Sequence, residues 1–163
     1  MGEIRTGIGF DAHRLVPGRR LVLGGVDIAS AVGLDGHSDA DVLCHAIIDA
    51  LLGAVADGDI GVHFPDTDPR WRGARSLELL RTVAERLRAR GWHTVNVDAT
   101  VIAEAPKIAP HAVAMRTALA GALGAAVERV SVKGKTVEQM GALGRREGIA
   151  AMAVATLTHI GPA

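Results

Sequence analysis

GIGFDAHRLVPG, residues 7–18, admits two readings that lead to different folds. Gly7, Gly9 and Ala12 spell G-x-G-x-x-A, a dinucleotide-binding fingerprint, while Asp11 and His13 spell D-x-H, a possible metal pair. The fingerprint requires a buried strand before the glycines and a helix straight after them. Six residues precede Gly7, among them Glu3 and Arg5, and Pro17-Gly18 follows too soon for a helix that could cradle a pyrophosphate. The local geometry suits the metal pair better. Ile4, Ile8 and Phe10, bounded by Pro17-Gly18, suggest a strand, and residues i and i+2 of a strand share a face. Asp11 and His13 then point the same way, a carboxylate beside an imidazole, which is ligand chemistry suited to zinc. Alone, such a pair is more often an ordinary surface Asp and His, so the reading needs a third ligand from elsewhere.

At 163 residues the chain is expected to form one domain, residues 1–163, large enough for a real core. Apolar residues make up 48% and the mean hydropathy is +0.24, which excludes a disordered chain. No apolar run reaches the length of a membrane helix, and no signal or transit peptide is visible, so a cytoplasmic protein without membrane contact is expected. The formal net charge is zero and there is no tyrosine, with two Phe and two Trp, so neither a basic footprint nor a base-stacking platform for nucleic acid is present. The single Cys44 excludes an intrachain disulfide and any multi-cysteine zinc site, and reads as a buried, inert thiol.

RLVLGGVDI (20–28) reads as a second strand, forming a hairpin with the first through Pro17-Gly18. Residues 39–55 read as a helix with Val42, Ile47, Leu51 and Leu52 on its apolar side and Ser38 as N-cap. Residues 57–69, dense in Asp, Gly and Pro, read as loop. A helix over about 76–90 follows, with Leu77, Leu80, Ala84 and Leu87 at helical spacing and Gly91 closing it. WHTVNVDATVIA (92–103) alternates as a strand, with Val95, Val97, Ala99 and Val101 on one face. Pro110 opens a third helix running to about Leu123, and 127–135 and 149–160 read as strands. The order β-β-α-α-β-α-β-β indicates an α/β two-layer sandwich, a mixed β-sheet with helices on one face. The other face needs covering, which oligomerisation would provide.

The third ligand is sought in HSDADVLCHAIIDALLG (37–53). Asp41, His45 and Asp49 lie at i, i+4 and i+8, one stripe on one helix face. Such a stripe is usually a solvated polar face. A histidine between two aspartates is nonetheless well placed for a metal, with one Asp orienting the ring through its other nitrogen. On residue types and spacing alone, His37 and His45 remain open alternatives for the third ligand.

GFDAHRL, LDGHSDADVLCHAIIDALLGA, GDIGVHFPDTDP, IAEAPKIAPH and GRREGIA, in that order over residues 4–157, together resemble the 2-C-methyl-D-erythritol 2,4-cyclodiphosphate synthase family. The bifunctional versions carry a further cytidylyltransferase domain, for which this chain is too short. The resemblance implies zinc on Asp11, His13 and His45, and places His37 and Ser38 in a segment over the substrate. It implies that Asp59, Gly61, Phe64 and Asp66 hold the methylerythritol moiety and that Ala103, Ala105, Pro106 and Lys107 hold the cytidine. Thr136, Lys135 and Arg145 become phosphate contacts, and Glu138 becomes the ligand of magnesium or manganese. Lys135 and Val137 stand where many members have hydroxyl residues, and Arg146 where glycine is frequent.

The implied reaction is closure of 4-diphosphocytidyl-2-C-methyl-D-erythritol 2-phosphate into the 2,4-cyclodiphosphate, the 2-phosphate oxygen attacking the β-phosphorus as CMP leaves. It belongs to non-mevalonate isoprenoid precursor biosynthesis. The enzyme class is a phosphorus–oxygen lyase. The implied partners are the cytidine diphosphate substrate and two further copies of the chain, a homotrimer packed through the open sheet face with each site shared between copies. The small residues of IAAMAVATL are expected at that interface. Two rivals are a zinc-dependent phosphohydrolase using water as nucleophile, and a non-catalytic trimeric carrier of isoprenoids.

Overall fold

The computed structural model describes residues 2–160, so Met1 and residues 161–163 of the expected 1–163 domain lie outside it. The strands are β1 (Ile4–Pro17), β2 (Leu21–Leu23), β3 (Val26–Ile28), β4 (Val32–Leu34), β5 (Trp92–Ile102), β6 (Val130–Lys135) and β7 (Gly148–His159). The helices are α1 (Val42–Ala54), α2 (Ile60–His63), α3 (Ser76–Ala89), α4 (Ala112–Leu123) and α5 (Gly141–Gly144). Five strands form a mixed sheet in the order β4-β1-β7-β5-β6, and β2 pairs with β3 alone. All neighbours in the large sheet are antiparallel except β5 and β6. Those two run parallel and are joined through α4, as a parallel pair requires a crossover.

The alternation of β1 sets the two layers. Ile4, Thr6, Ile8 and Phe10 are exposed, while Gly7, Gly9, Asp11 and His13 share the other face and lie toward α1. Gly7 and Gly9 let strand and helix meet backbone to backbone. A Cβ on Gly9 would overlap the carbonyl oxygen of Ala46 and lie 2.7 Å from the Ala50 nitrogen. A Cβ on Gly7 would lie 2.5 Å from the Ala54 nitrogen. The G-x-G pattern is thus a packing feature of a strand against a helix.

α1 is apolar on nearly every side because it is enclosed by β1 and β7 beneath and by α3 beside it. Leu43, Ile47, Ile48 and Leu51 are fully buried, each contributing about 1.5–3 kcal/mol by transfer out of water. α3 turns Leu77, Leu80, Val83, Ala84 and Leu87 inward, and α4 adds Met115, Leu119 and Leu123. The two-layer architecture matches the sequence expectation, with the three long helices on one face. The opposite face exposes Ile8 (66%), Phe10 (56%) and Met152 (42%), a contiguous apolar surface through the pairings Phe10↔Met152 and Ile8↔Val154.

Several elements differ from the sequence reading. Residues 20–28 are two short strands rather than one. Gly24 (φ 57°) and Gly25 (φ 75°) both take the left-handed conformation that a two-residue hairpin turn requires. The partner of β1 near Pro17 is therefore β4, not residues 20–28. The N-cap of α1 is Asp41 rather than Ser38, because Ala40 is left-handed (φ 57°) and the helix cannot start before it. The 57–69 segment contains α2, capped by Asp59. A bulge between Thr94 and Asn96 takes Val95 out of the alternation, leaving Val97, Ala99 and Val101 buried. Residues 127–129 form a 3₁₀ turn, so β6 begins at Val130. Ala151, Ala153 and Ala155 are buried toward the helical layer, whereas Met152 and Val154 occupy the open face. The small residues of this strand thus serve helix packing.

Candidate active site

Asp11 and His13 leave β1 on the α1 side, and His45 rises from the first turns of α1 to meet them. Asp11 Oδ2 lies 2.8 Å from His13 Nε2 and 2.9 Å from His45 Nδ1, and the two ring nitrogens are 3.2 Å apart. These are the one group of three potential metal ligands among the described residues. Tetrahedral zinc with nitrogen and oxygen ligands sets such atoms about 3.3 Å apart, so the donor set fits with small adjustment. The remaining ring nitrogens are also held. His13 Nδ1 is 2.6 Å from the Asp35 carbonyl oxygen, and His45 Nε2 is 2.8 Å from Ser76 Oγ and 3.2 Å from Ser38 Oγ.

The electrostatics follow from this packing. Burial pushes the Asp11 carboxyl up, but hydrogen bonds and charge from His13 and His45 outweigh it and hold the group well below the carboxylate range. The hydrogen bond to Asp11 raises His13 above its ordinary 6.5 against the opposing effect of burial. Asp41 and Asp49, expected on one stripe with His45, do not join it. Asp41 sits at the helix start and takes N–H bonds from Gly24, Gly25, Leu43 and Cys44. Asp49 accepts from the Ile60 N–H, and burial raises its carboxyl. Burial likewise pushes the Cys44 thiol well up, which makes it inert.

The triad opens on a cavity of about 470 Å³ whose wall includes His37, Ser38, Gly61, Phe64, Asp66 and Trp71. Phe64 and Trp71 meet edge to face at 5.0 Å and form its apolar side. The 36–38 segment is tied down by Arg19, which donates to the carbonyls of Gly36 (2.9 Å) and Ser38 (2.8 Å). His37 Nε2 lies 3.3 Å from the Asp68 carbonyl oxygen and stands outside the group, in which His45 joins Asp11 and His13.

The model of the YgbB family matches residues 4–158. The chain belongs to the YgbB family. A curated relative from Dechloromonas aromatica, 2-C-methyl-D-erythritol 2,4-cyclodiphosphate synthase, is 60% identical over 159 residues, covering 98% of this chain and 99% of its own. Among solved structures, the bifunctional IspDF of Campylobacter jejuni superposes with a TM-score of 0.94 at 41% identity, covering 98% of this chain and 43% of its own. The CDP complex of IspF from Plasmodium falciparum superposes at 0.85 with 33% identity, covering 98% of both chains. No helix among the described residues is long and apolar enough to cross a membrane.

The other residues that resemblance to this family singles out fall elsewhere. Ala103, Pro106, Lys107, Lys135 and Thr136 line a second cavity of about 260 Å³, at the ends of the parallel strands β5 and β6. Ala105 precedes Pro106 in a cis peptide bond. Glu138 follows the end of β6 and accepts from the Thr136 hydroxyl at 2.7 Å. Arg145 pairs with Glu147 at 2.7 Å on the surface. Asp59 caps α2 through the Val62 N–H rather than lining the first cavity.

Three residues at these sites escaped the sequence reading. Ser76 and Asp39 stand behind His45, and Glu104 accepts from the N–H groups of Val137 (3.0 Å) and Gln139 (3.1 Å), tethering the segment that carries Glu138. Ser76 and Asp39 resemble ordinary helix-start residues in sequence. Only the crossing of α1 and α3 brings them to the ring, and no sequence signal marks that crossing.

Proposed function

We propose that this chain converts 4-diphosphocytidyl-2-C-methyl-D-erythritol 2-phosphate to 2-C-methyl-D-erythritol 2,4-cyclodiphosphate with release of CMP, a lyase step of isoprenoid precursor biosynthesis in the cytoplasm. One observation carries this reading. An Asp–His–His donor set at a cavity mouth lies within a chain 60% identical, end to end, to a synthase of that name. The first cavity suits the methylerythritol moiety, with Gly61, Phe64 and Asp66 on its wall and Asp59 fixing the helix that presents them. The second suits the cytidine, with Ala103, Pro106 and Lys107 on its wall, Ala105 beside them in the chain, and Thr136 and Lys135 toward phosphate; Arg145, off that wall, is the further phosphate contact that the family resemblance implies.

The attacking group is a phosphate oxygen already ionised, so the protein needs no strong general base. Its residues must hold two mutually repelling phosphates in line, which is a positioning task. Asp11, His13 and His45 would hold zinc, and Glu138 magnesium or manganese. A lone carboxylate is sufficient for magnesium when substrate phosphates complete its shell. When bound, these ions neutralise charge at the diphosphate and on departing CMP.

The two cavities have separate walls within one chain. We therefore assign the working unit to a homotrimer of single-domain chains, closed over the apolar sheet face, in which one copy's cytidine cavity meets another's triad. Light scattering should give about three times the 16.9 kDa chain mass. Incubation with the cytidyl substrate and magnesium should yield CMP and a cyclic diphosphate in equal amounts. Release of inorganic phosphate without CMP would favour a zinc phosphohydrolase instead.

A further inference from the structure

The ring of His45 is held by more than one hydroxyl. Ser76 Oγ donates to Asp39 Oδ1, and the other oxygen of Asp39 accepts the Ser76 backbone N–H at 3.1 Å. Ser76 is fully buried, and His45 Nε2 lies 2.8 Å from its hydroxyl oxygen. We infer that Asp39 and Ser76 act as a relay that keeps a proton on His45 Nε2, so that Nδ1 is the nitrogen left to a metal held together with Asp11 and His13. Both are positioning residues for the candidate metal centre. This inference rests on the reading of that triad as a zinc site.

An ionised carboxylate only accepts hydrogen bonds, and a serine hydroxyl has a single proton to give. That proton goes to Asp39, so the Ser76 oxygen can only accept from the ring. His45 Nε2 must therefore carry hydrogen, whatever the state of Nδ1, which faces the Asp11 carboxylate and is the nitrogen whose proton a metal would displace. Nδ1 is the nitrogen 2.9 Å from Asp11 and 3.2 Å from His13 Nε2, the one able to serve as a ligand atom. His13 reaches the same end with a backbone acceptor, the Asp35 carbonyl, which no side-chain substitution can reverse. His45 depends on side chains alone. Ser38 Oγ, 3.2 Å from both Nε2 and Ser76 Oγ, fills the remaining space without replacing the carboxylate.

Asp39→Asn reverses the logic while nearly keeping the shape. The amide oxygen still accepts the Ser76 N–H, but the amide NH₂ now donates to Ser76 Oγ. The freed serine proton turns to His45 Nε2, and the ring keeps hydrogen only on Nδ1, toward Asp11. Ser76→Ala removes the acceptor outright.

The test uses the full chain labelled with ¹⁵N-histidine and stripped of metal, with long-range ¹H–¹⁵N spectra reading each ring's tautomer. The parent should show His45 protonated at Nε2. Asp39→Asn should abolish the Nε2 proton and leave hydrogen on Nδ1 alone, with the His13 signals unchanged, and Ser76→Ala should lower the occupancy of Nε2–H. Zinc affinity by competition with a chromophoric chelator should fall about 10–100-fold in both variants, the usual loss when a ligand's outer partner is removed. Circular dichroism of the stripped variants checks that the fold is intact. The relay is wrong if both folded variants keep the Nε2–H tautomer and bind zinc as the parent does. If the parent takes up no zinc, the metal reading fails by itself, and the tautomer spectra still decide the relay.

Discussion

Gly9→Ala tests whether the closeness of β1 to α1 is what assembles the triad. The added Cβ would overlap the Ala46 carbonyl oxygen and lie 2.7 Å from the Ala50 nitrogen. Ordinary contact between heavy atoms needs about 3.5 Å, so strand and helix must part by about 1.5 Å. Neither obstacle is a side chain that can rotate away; both are backbone of a helix enclosed on all sides. Overpacking of this kind costs about 1–3 kcal/mol, which for a chain of this size lowers Tm by about 3–10 °C. The same movement carries Asp11 and His13 away from His45, whereas metal–ligand distances tolerate only about 0.2 Å. Zinc affinity should therefore fall by more than about tenfold, along with stability. Gly121→Ala is the control. It sits inside α4 with open space around its Cβ position, so the change should stabilise by about 0.5–1 kcal/mol and leave zinc untouched. Calorimetry and chelator competition on both variants decide the matter. A Gly9→Ala protein with the parent's Tm and zinc affinity would refute the account of both the glycine pattern and the site's assembly.

Metal analysis of His45→Ala should show most zinc gone, while His37→Ala keeps it; the reverse would mean that the triad is wrongly composed. Glu138→Gln should leave zinc in place, lower turnover roughly a hundredfold and raise the magnesium requirement, as expected when one electrostatic contact to the developing charge is lost. Normal turnover with unchanged magnesium dependence would remove Glu138 from the site. Because Asp11 raises His13 above 6.5, the pair stabilises the metal-free fold fully below that value and loses this contribution as pH rises through the folded value. Thermal unfolding of the stripped protein, referred to His13→Asn, should show that decline, and a rise over the same window would contradict it. Zinc competes with the same proton, so its affinity should weaken on acidification from a higher pH than an ordinary histidine gives.

The layers and the ligand pair were legible because they follow from short-range periodicity. Alternation in residues 4–13 put Asp11 and His13 on one face, and helical spacing in 76–87 defined α3. What was not legible depended on tertiary placement. Asp41, His45 and Asp49 share one helical stripe by spacing, yet Asp41 is claimed by the hairpin glycines and the helix start, and Asp49 by α2. Ser38 looked like a cap because nothing local reveals that Ala40 is left-handed. The choice between His37 and His45 stayed open on spacing, since it turns on which way a loop faces. The gathering of residues 103–107 with 135–136 came from resemblance, because the parallel pairing of β5 with β6 brings distant segments together.

The neighbour of β1 in the sheet is β7, with Ile4 opposite Thr158 and Arg14 opposite Gly148. β1 therefore waits for β7, the last strand of the described residues. While the chain emerges, Asp11, His13 and His45 are all available within the first third of its length, and β1 can settle on α1 through its glycines. Its eleven pairing positions from Ile4 to Arg14 nonetheless stay open until residues 148–158 arrive. An unpaired edge of that length, bearing Ile4, Ile8 and Phe10 on its outer face, is a template for pairing with another nascent chain. The pairing that completes β1 only when β7 arrives also makes the interval before β7 emerges the time of greatest exposure to aggregation.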